Sequence, residues 1–146
     1  SSDVCSSDLA RNAFFGQVTH VRRGTLLTEV SLRAQGGLSL ASVITTESFE
    51  SLLLSEGAAV TALIKPPEVL VGRENGGLHT SARNNFKGRV TSLRSDGVAV
   101  EVMGKLDGGT PMCALITAKS LASLEIKEND EVSFFFKAVN VILSAS

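Results

Sequence analysis

The residues of this chain best able to do chemistry come as a matched set, written twice. Arg11 and Asn12 in "LARNAFFGQV" (9–18) recur as Arg83 and Asn84 in "SARNNFKGRV" (81–90). Thr45 and Ser48 recur as Thr117 and Ser120, Lys65 recurs as Lys137, and Ser81 stands where the first copy has Leu9. Nearly all of these are hydrogen-bond donors, with a guanidinium and an ammonium in each copy and no carboxylate or imidazole required. A helix opening at Thr45 or Thr117 would add backbone N–H groups and the positive end of a helix dipole, where anions settle. Two cations with hydroxyls and amides suit a compact dianion with four acceptor oxygens. At ~1.5–3 kcal/mol for each charge-assisted bond, a handful reaches micromolar affinity after ordering costs. Taken singly, each residue also has a plainer reading: exposed arginines, threonine helix caps and lysines snorkelling from the ends of apolar strands.

The set belongs to a longer register. Arg11 and Arg83 are 72 positions apart, and the same offset holds without a gap down the chain. Glu29-Val30 meets Glu101-Val102, Gly36-Gly37 meets Gly108-Gly109, and "ITTESFESLLLSE" meets "ITAKSLASLEIKE". Scattered matches follow from shared composition, but this combination in one register indicates a tandem duplication. The units are 9–71 and 81–144, joined by a linker over 72–80 rich in Gly and polar residues.

The elements that must position the set read mainly as strands. "FKGRVTSLR" and "GVAVEVMGKL", separated by Ser95-Asp96-Gly97, predict a hairpin, with Val98, Val100 and Val102 on one face. "TPMCALI", "EVSFFFK" and "VNVILS" add three short β runs, and Pro66-Pro67 falls at the break between the last two strands of the first unit. "TTESFESLLL" and "TAKSLASLEI" break the two-residue period and predict short helices capped by Thr45 and Thr117. Five strands with one helical turn between the third and fourth is the order of a partly open Greek-key barrel. The expected fold is all-β: two tandem OB-like five-stranded barrels, each with one short helix.

Composition narrows the function. The chain has 146 residues, 43% apolar and 20% charged, with a net charge of −1. That suits a folded domain and supplies no global positive field for nucleic acid. Apolar runs stop well short of the ~20 residues of a membrane span. Cys5 and Cys113 make no disulfide framework, so a cytoplasmic setting is expected, with Cys113 an inert buried thiol. The opening "SSDVCSSDL" resembles no signal peptide, and residues 1–8 read as a non-native or disordered leader. Gly16, Gly88 and the Gly-Gly pairs read as bulge and turn positions. Phe134, Phe135 and Phe136 read as core or subunit contact, with Glu125, Glu128, Asp130 and Glu131 nearby opposing a nucleic-acid stacking surface. No catalytic set is found.

The order "SARN", "ITAKSL.SL", "V..F.KA..V" resembles the molbindin-type molybdate-binding (Mop) domain. The doubling is similar to the di-Mop unit of the molybdate-dependent transcriptional regulator and of stand-alone molbindins. The resemblance covers residues 10–143. It implies molybdate, or tungstate as its analogue, held without turnover at interfaces between units of a homo-oligomer, dimer or trimer. Carried over by position, the contacts fall to Ser81, Arg83, Asn84, Thr117, Ser120 and Lys137, and to Arg11, Asn12, Thr45, Ser48 and Lys65, with no side chain ligating the metal directly. Leu9 departs from the pattern where a hydroxyl is expected. The implied roles are the effector-sensing half of a regulator whose DNA-binding domain lies upstream, or a molybdate store. Alternatives are the tail of a molybdate transport ATPase and, from another class, an OB-type binder of single-stranded nucleic acid.

Overall fold

A computed structural model describes residues 12–73 and 79–145. In the first repeat the strands are β1 (Asn12–Arg23), β2 (Leu27–Ala34), β3 (Ser39–Thr45), β4 (Ala59–Ile64) and β5 (Leu70–Gly72), with helix α1 (Thr46–Ser51) between β3 and β4. The second repeats the order with β6 (Asn84–Ser95), β7 (Ala99–Leu106), β8 (Pro111–Thr117), α2 (Ala118–Leu124), β9 (Glu131–Phe136) and β10 (Ile142–Ala145). The expected hairpin is β6–β7. Its turn is closed by Asp96, whose Oδ1 accepts the N–H groups of Val98 (2.9 Å) and Ala99 (2.8 Å). Val100 and Val102 are fully buried, but Val98 lies in the turn and is 77% exposed, so the inward face begins one residue pair later than the alternation suggested.

The strands form two curled five-stranded sheets, and the chain crosses between them twice. One sheet has the order β10-β4-β1-β2-β3 and the other β5-β9-β6-β7-β8. Each is therefore four strands of one repeat completed by the last strand of the other. Leu70 pairs with Phe135, and Ile142 pairs with Leu63. The crossings are made by 3-10 turns, Pro66–Glu68 and Ala138–Asn140. Pro66 and Pro67 have no N–H to lose at this break.

The exchange also explains why one apolar cluster serves the whole molecule. Phe14, Leu32 and Ile64 of the first repeat and Met112, Phe134 and Phe136 of the second belong to a single core, with Val69 and Val141 buried just ahead of the exchanged strands. Both long first strands carry a bulge at the same place, between Val18 and His20 and between Val90 and Ser92, adding to the curl of the sheets. Gly16 and Gly88 lie where the first two strands of each repeat meet. A Cβ on Gly16 would meet Arg33 O at 2.2 Å, and one on Gly88 would meet Lys105 O at 2.8 Å and the Phe134 ring at 3.0 Å. Close approach, rather than a turn, therefore demands glycine at both.

Arg73, expected in the linker, instead docks. Its Nε donates to Leu124 O at the end of α2 (2.7 Å), and its Nη2 pairs with Asp130 (2.6 Å). That contact, with the backbone N–H of Lys127 as the larger cause, holds the Asp130 carboxyl below its ordinary value. Cys113 is buried but disulfide-bonded, not the inert thiol expected of it.

Candidate functional site

The two helix openings are built alike. Thr45 Oγ1 accepts the Ser48 N–H (3.1 Å) and donates to Ser48 Oγ (2.8 Å); Thr117 and Ser120 repeat the arrangement at 3.0 and 2.9 Å. The first helical N–H groups are also engaged, Thr46 with Leu26 O (2.9 Å) and Ala118 with Val98 O (2.8 Å). The expectation of a fan of uncommitted amide donors therefore shrinks. Each opening still offers the serine hydroxyl proton, since its threonine has already donated, together with the backbone N–H of the second helical residue, Glu47 or Lys119.

Arg83 is exposed and pairs with Glu29 on β2 of the other repeat, Nη2 to Oε2 at 2.9 Å. Ser81 is exposed beside it. Lys65 and Lys137 are exposed, and neither has an ion-pair partner among the described residues. Each instead sets the 3-10 turn that follows it, through its carbonyl: Lys65 O accepts from Glu68 N (2.9 Å) and Lys137 O from Asn140 N (3.0 Å). Arg11 lies outside the described residues.

Asn12 and Asn84 are placed differently from the rest. Both are buried. The Asn84 carboxamide closes a two-way bond with Ala41 on β3, accepting its N–H (2.8 Å) and donating to its C=O (2.9 Å). Asn12 does the same to Cys113 on β8 (2.6 and 2.9 Å), with a further contact to Ile64 O (3.2 Å). Each amide takes the place of a peptide group on the open edge of the other repeat's sheet, where β3 and β8 have no strand neighbour.

These bonds decide which residues meet. Asn84 and Arg83 anchor the start of the second repeat on β2 and β3 of the first. The 3-10 turn after Lys137 packs on β3, and Ser42 Oγ donates to Val141 O (3.0 Å). An open groove of about 600 Å³ is lined by Thr45, Ser48, Leu27 and Leu52 of the first repeat and Val139 and Ile142 of the second, while Ser81, Arg83 and Lys137 are not among its lining residues. The hydroxyl pair of one repeat is thus flanked by chain from the other. Two residues were missed in the sequence as functional candidates, Glu29, which pairs with Arg83, and its counterpart Glu101 on β7, although both lie in the repeat register. Among the described residues no group of His, Cys, Asp and Glu could hold a metal ion, and no helix is long and apolar enough to cross a membrane.

Comparison with known proteins gives the arrangement its relatives. The TOBE domain matches this chain twice, over residues 9–71 and 80–143. The molybdenum transport protein ModE of Azotobacter vinelandii is 36% identical over 135 residues, which are 92% of this chain and 50% of that protein. This chain thus spans about half the length of the ModE relatives it matches. Molybdenum-pterin-binding protein 1 of Clostridium pasteurianum is 39% identical over 62 residues, 42% of this chain and 91% of that protein. Among solved structures, the cytoplasmic molybdate-binding protein ModG with molybdate bound superposes with a TM-score of 0.90 at 38% identity, covering 94% of this chain and 98% of that one.

Proposed function

The chain belongs to the TOBE domain family and carries that domain twice, and from this premise we propose that it binds molybdate, with tungstate as its analogue, as an intact oxyanion and without turnover. The observation that carries the reading is the likeness to ModG, a structure with molybdate bound that matches nearly the whole chain. The donor chemistry supports it. An arginine and an exposed lysine supply the two positive charges a dianion needs, and the Thr-Ser pairs supply hydroxyl protons to oxygens that can only accept.

In this reading each site takes its hydroxyls from one repeat (Thr45 and Ser48, or Thr117 and Ser120) and its cations from elsewhere: Arg83, Ser81 and Lys137, or Arg11 and Lys65. A second copy of the chain, in a dimer or trimer, closes the open groove over the ligand. Asn12 and Asn84 serve the site by holding the repeats together, and do not touch the anion. Binding serves either to sense molybdate for a regulator or to store it in the cytoplasm.

Calorimetric titration with molybdate, tungstate, sulfate and phosphate, with size-exclusion analysis of the same sample, tests this. Molybdate and tungstate should bind at micromolar concentration or below, and an oligomeric sample that takes up neither refutes the reading.

A further inference from the structure

Arg83 is not a bare cation. The Glu29 carboxylate that holds it comes from the other repeat and is three-quarters buried, its side chain 25% exposed. Along β2 Glu29 shares a face with Leu27, and these two residues stand opposite Val43 and Thr45 on β3. Leu27, Val43 and Thr45 all line the groove. On this strand pair Glu29 is the diagonal neighbour of Thr45, their Cα atoms about 7–8 Å apart. The repeat register puts Glu101 at the same place on β7, opposite Leu115. There Arg94 Nε is 3.7 Å from Oε1, while Oε2 is buried with no hydrogen-bond partner among the described residues. A carboxylate in each copy, at the rim of a donor set suited to a dianion, opposes that ligand electrostatically.

Building on the reading of the site above, we propose that Glu29 is an internal competitor for the oxyanion. It holds Arg83 across the repeat boundary while the site is empty and gives it up when a dianion arrives. Filling the site then requires a ligand that outbids a carboxylate for the guanidinium. Glu29 thereby sets the concentration at which the site fills, and filling undoes a link between the repeats.

Glu29→Gln separates competition from positioning, because the amide keeps an oxygen for Arg83 and loses only the charge. Calorimetric titration of the full chain should show molybdate binding about tenfold tighter in E29Q, the factor expected for removing a unit charge about 6 Å from a dianion at near-water dielectric. Sulfate, with the same charge, should gain by the same factor, leaving the molybdate-to-sulfate ratio unchanged. Unchanged or weaker molybdate binding in the folded variant overturns the proposal, while absence of molybdate binding by the wild-type chain overturns the site reading beneath it. A second measurement covers a variant that folds poorly. Denaturation of wild type, E29Q, R83Q and the double variant should show coupling between the two positions without molybdate and none at saturating molybdate. Coupling that survives saturation also overturns the proposal.

Discussion

Replacing Asn84 with alanine tests the repeat boundary directly. The side chain is 2% exposed, and its two bonds go to the N–H and C=O of Ala41, itself 7% exposed. These backbone groups point away from β2 and have no strand on their other side. Alanine leaves one donor and one acceptor without partners in a nearly dry place, at about 1–3 kcal/mol each, together with a small void. A total loss of about 2–6 kcal/mol follows, a large share of the stability of a domain this size. In urea, with a slope of about 2 kcal/mol per molar, the midpoint should fall by about 1–3 M. Asn84→Asp should be worse, since it removes the donor and adds a buried charge. Molybdate affinity, measured where N84A remains folded, should fall far less than in Arg83→Ala. An N84A protein of unchanged stability that no longer binds molybdate would refute the reasoning and restore Asn84 as a ligand.

Four further outcomes follow from other contacts. Gly88→Ala must push a methyl against Lys105 O and the buried Phe134 ring; it should cost about 1–3 kcal/mol or more, read as a lowered thermal midpoint with oxyanion affinity altered only in proportion to unfolding. Lys137→Gln changes an exposed side chain and should leave thermal stability within about 0.5 kcal/mol while weakening molybdate binding at least tenfold, whereas Thr117→Val should cost both affinity and about 1 kcal/mol of stability because the cap of α2 goes with it. The Asp130 carboxyl is held below its ordinary value near 3.8 by the Lys127 N–H and by Arg73, so its contribution is complete above that value and lost as pH falls through the lowered one; acid titrations of stability should show a shallower decline below pH 4 in Asp130→Asn than in wild type.

Most of the local structure was legible because local rules decide it. The Thr45 and Thr117 caps, the Asp96-Gly97 turn, the five-strand order and the proline break each depend on residues a few positions apart. Strand exchange was not legible, since "VNVILS" pairs as well with the fourth strand of either repeat and nothing in its own pattern names the partner. The cross-repeat bonds of Asn12 and Asn84 were hidden for a related reason. Beside an arginine, in register, an asparagine looks like one more donor to a ligand, and only the bare edges of β3 and β8 in the folded chain show where its amide goes. Glu29 and Glu101 were visible as a repeated pair but carry the wrong charge for an anion site, so a search for donors passed over them. Arg73 sat in a segment whose composition reads as linker, and its partners at the end of α2 are some fifty residues away.

The exchange gives the duplication its physical reason. Each repeat's first four strands leave two sheet edges bare and its last strand without a sheet; the other repeat covers the edges of the first with β10 on β4 and Asn84 on β3, and those of the second with β5 on β9 and Asn12 on β8. A single repeat would have to find this complement on another chain, whereas the tandem presents it at the millimolar effective concentration of a short tether. It follows that the covalent link contributes assembly rather than structure. If a protease site is placed within 74–78 and cut after folding, the two halves should elute together on size exclusion at micromolar concentration, since each still holds the other's last strand in its sheet and both share one core. After unfolding and refolding, recovery should become strongly dependent on concentration in the cut protein and not in the intact chain. Halves that separate under native conditions, each retaining its β-structure, would show that the repeats are self-sufficient and that the exchange is dispensable.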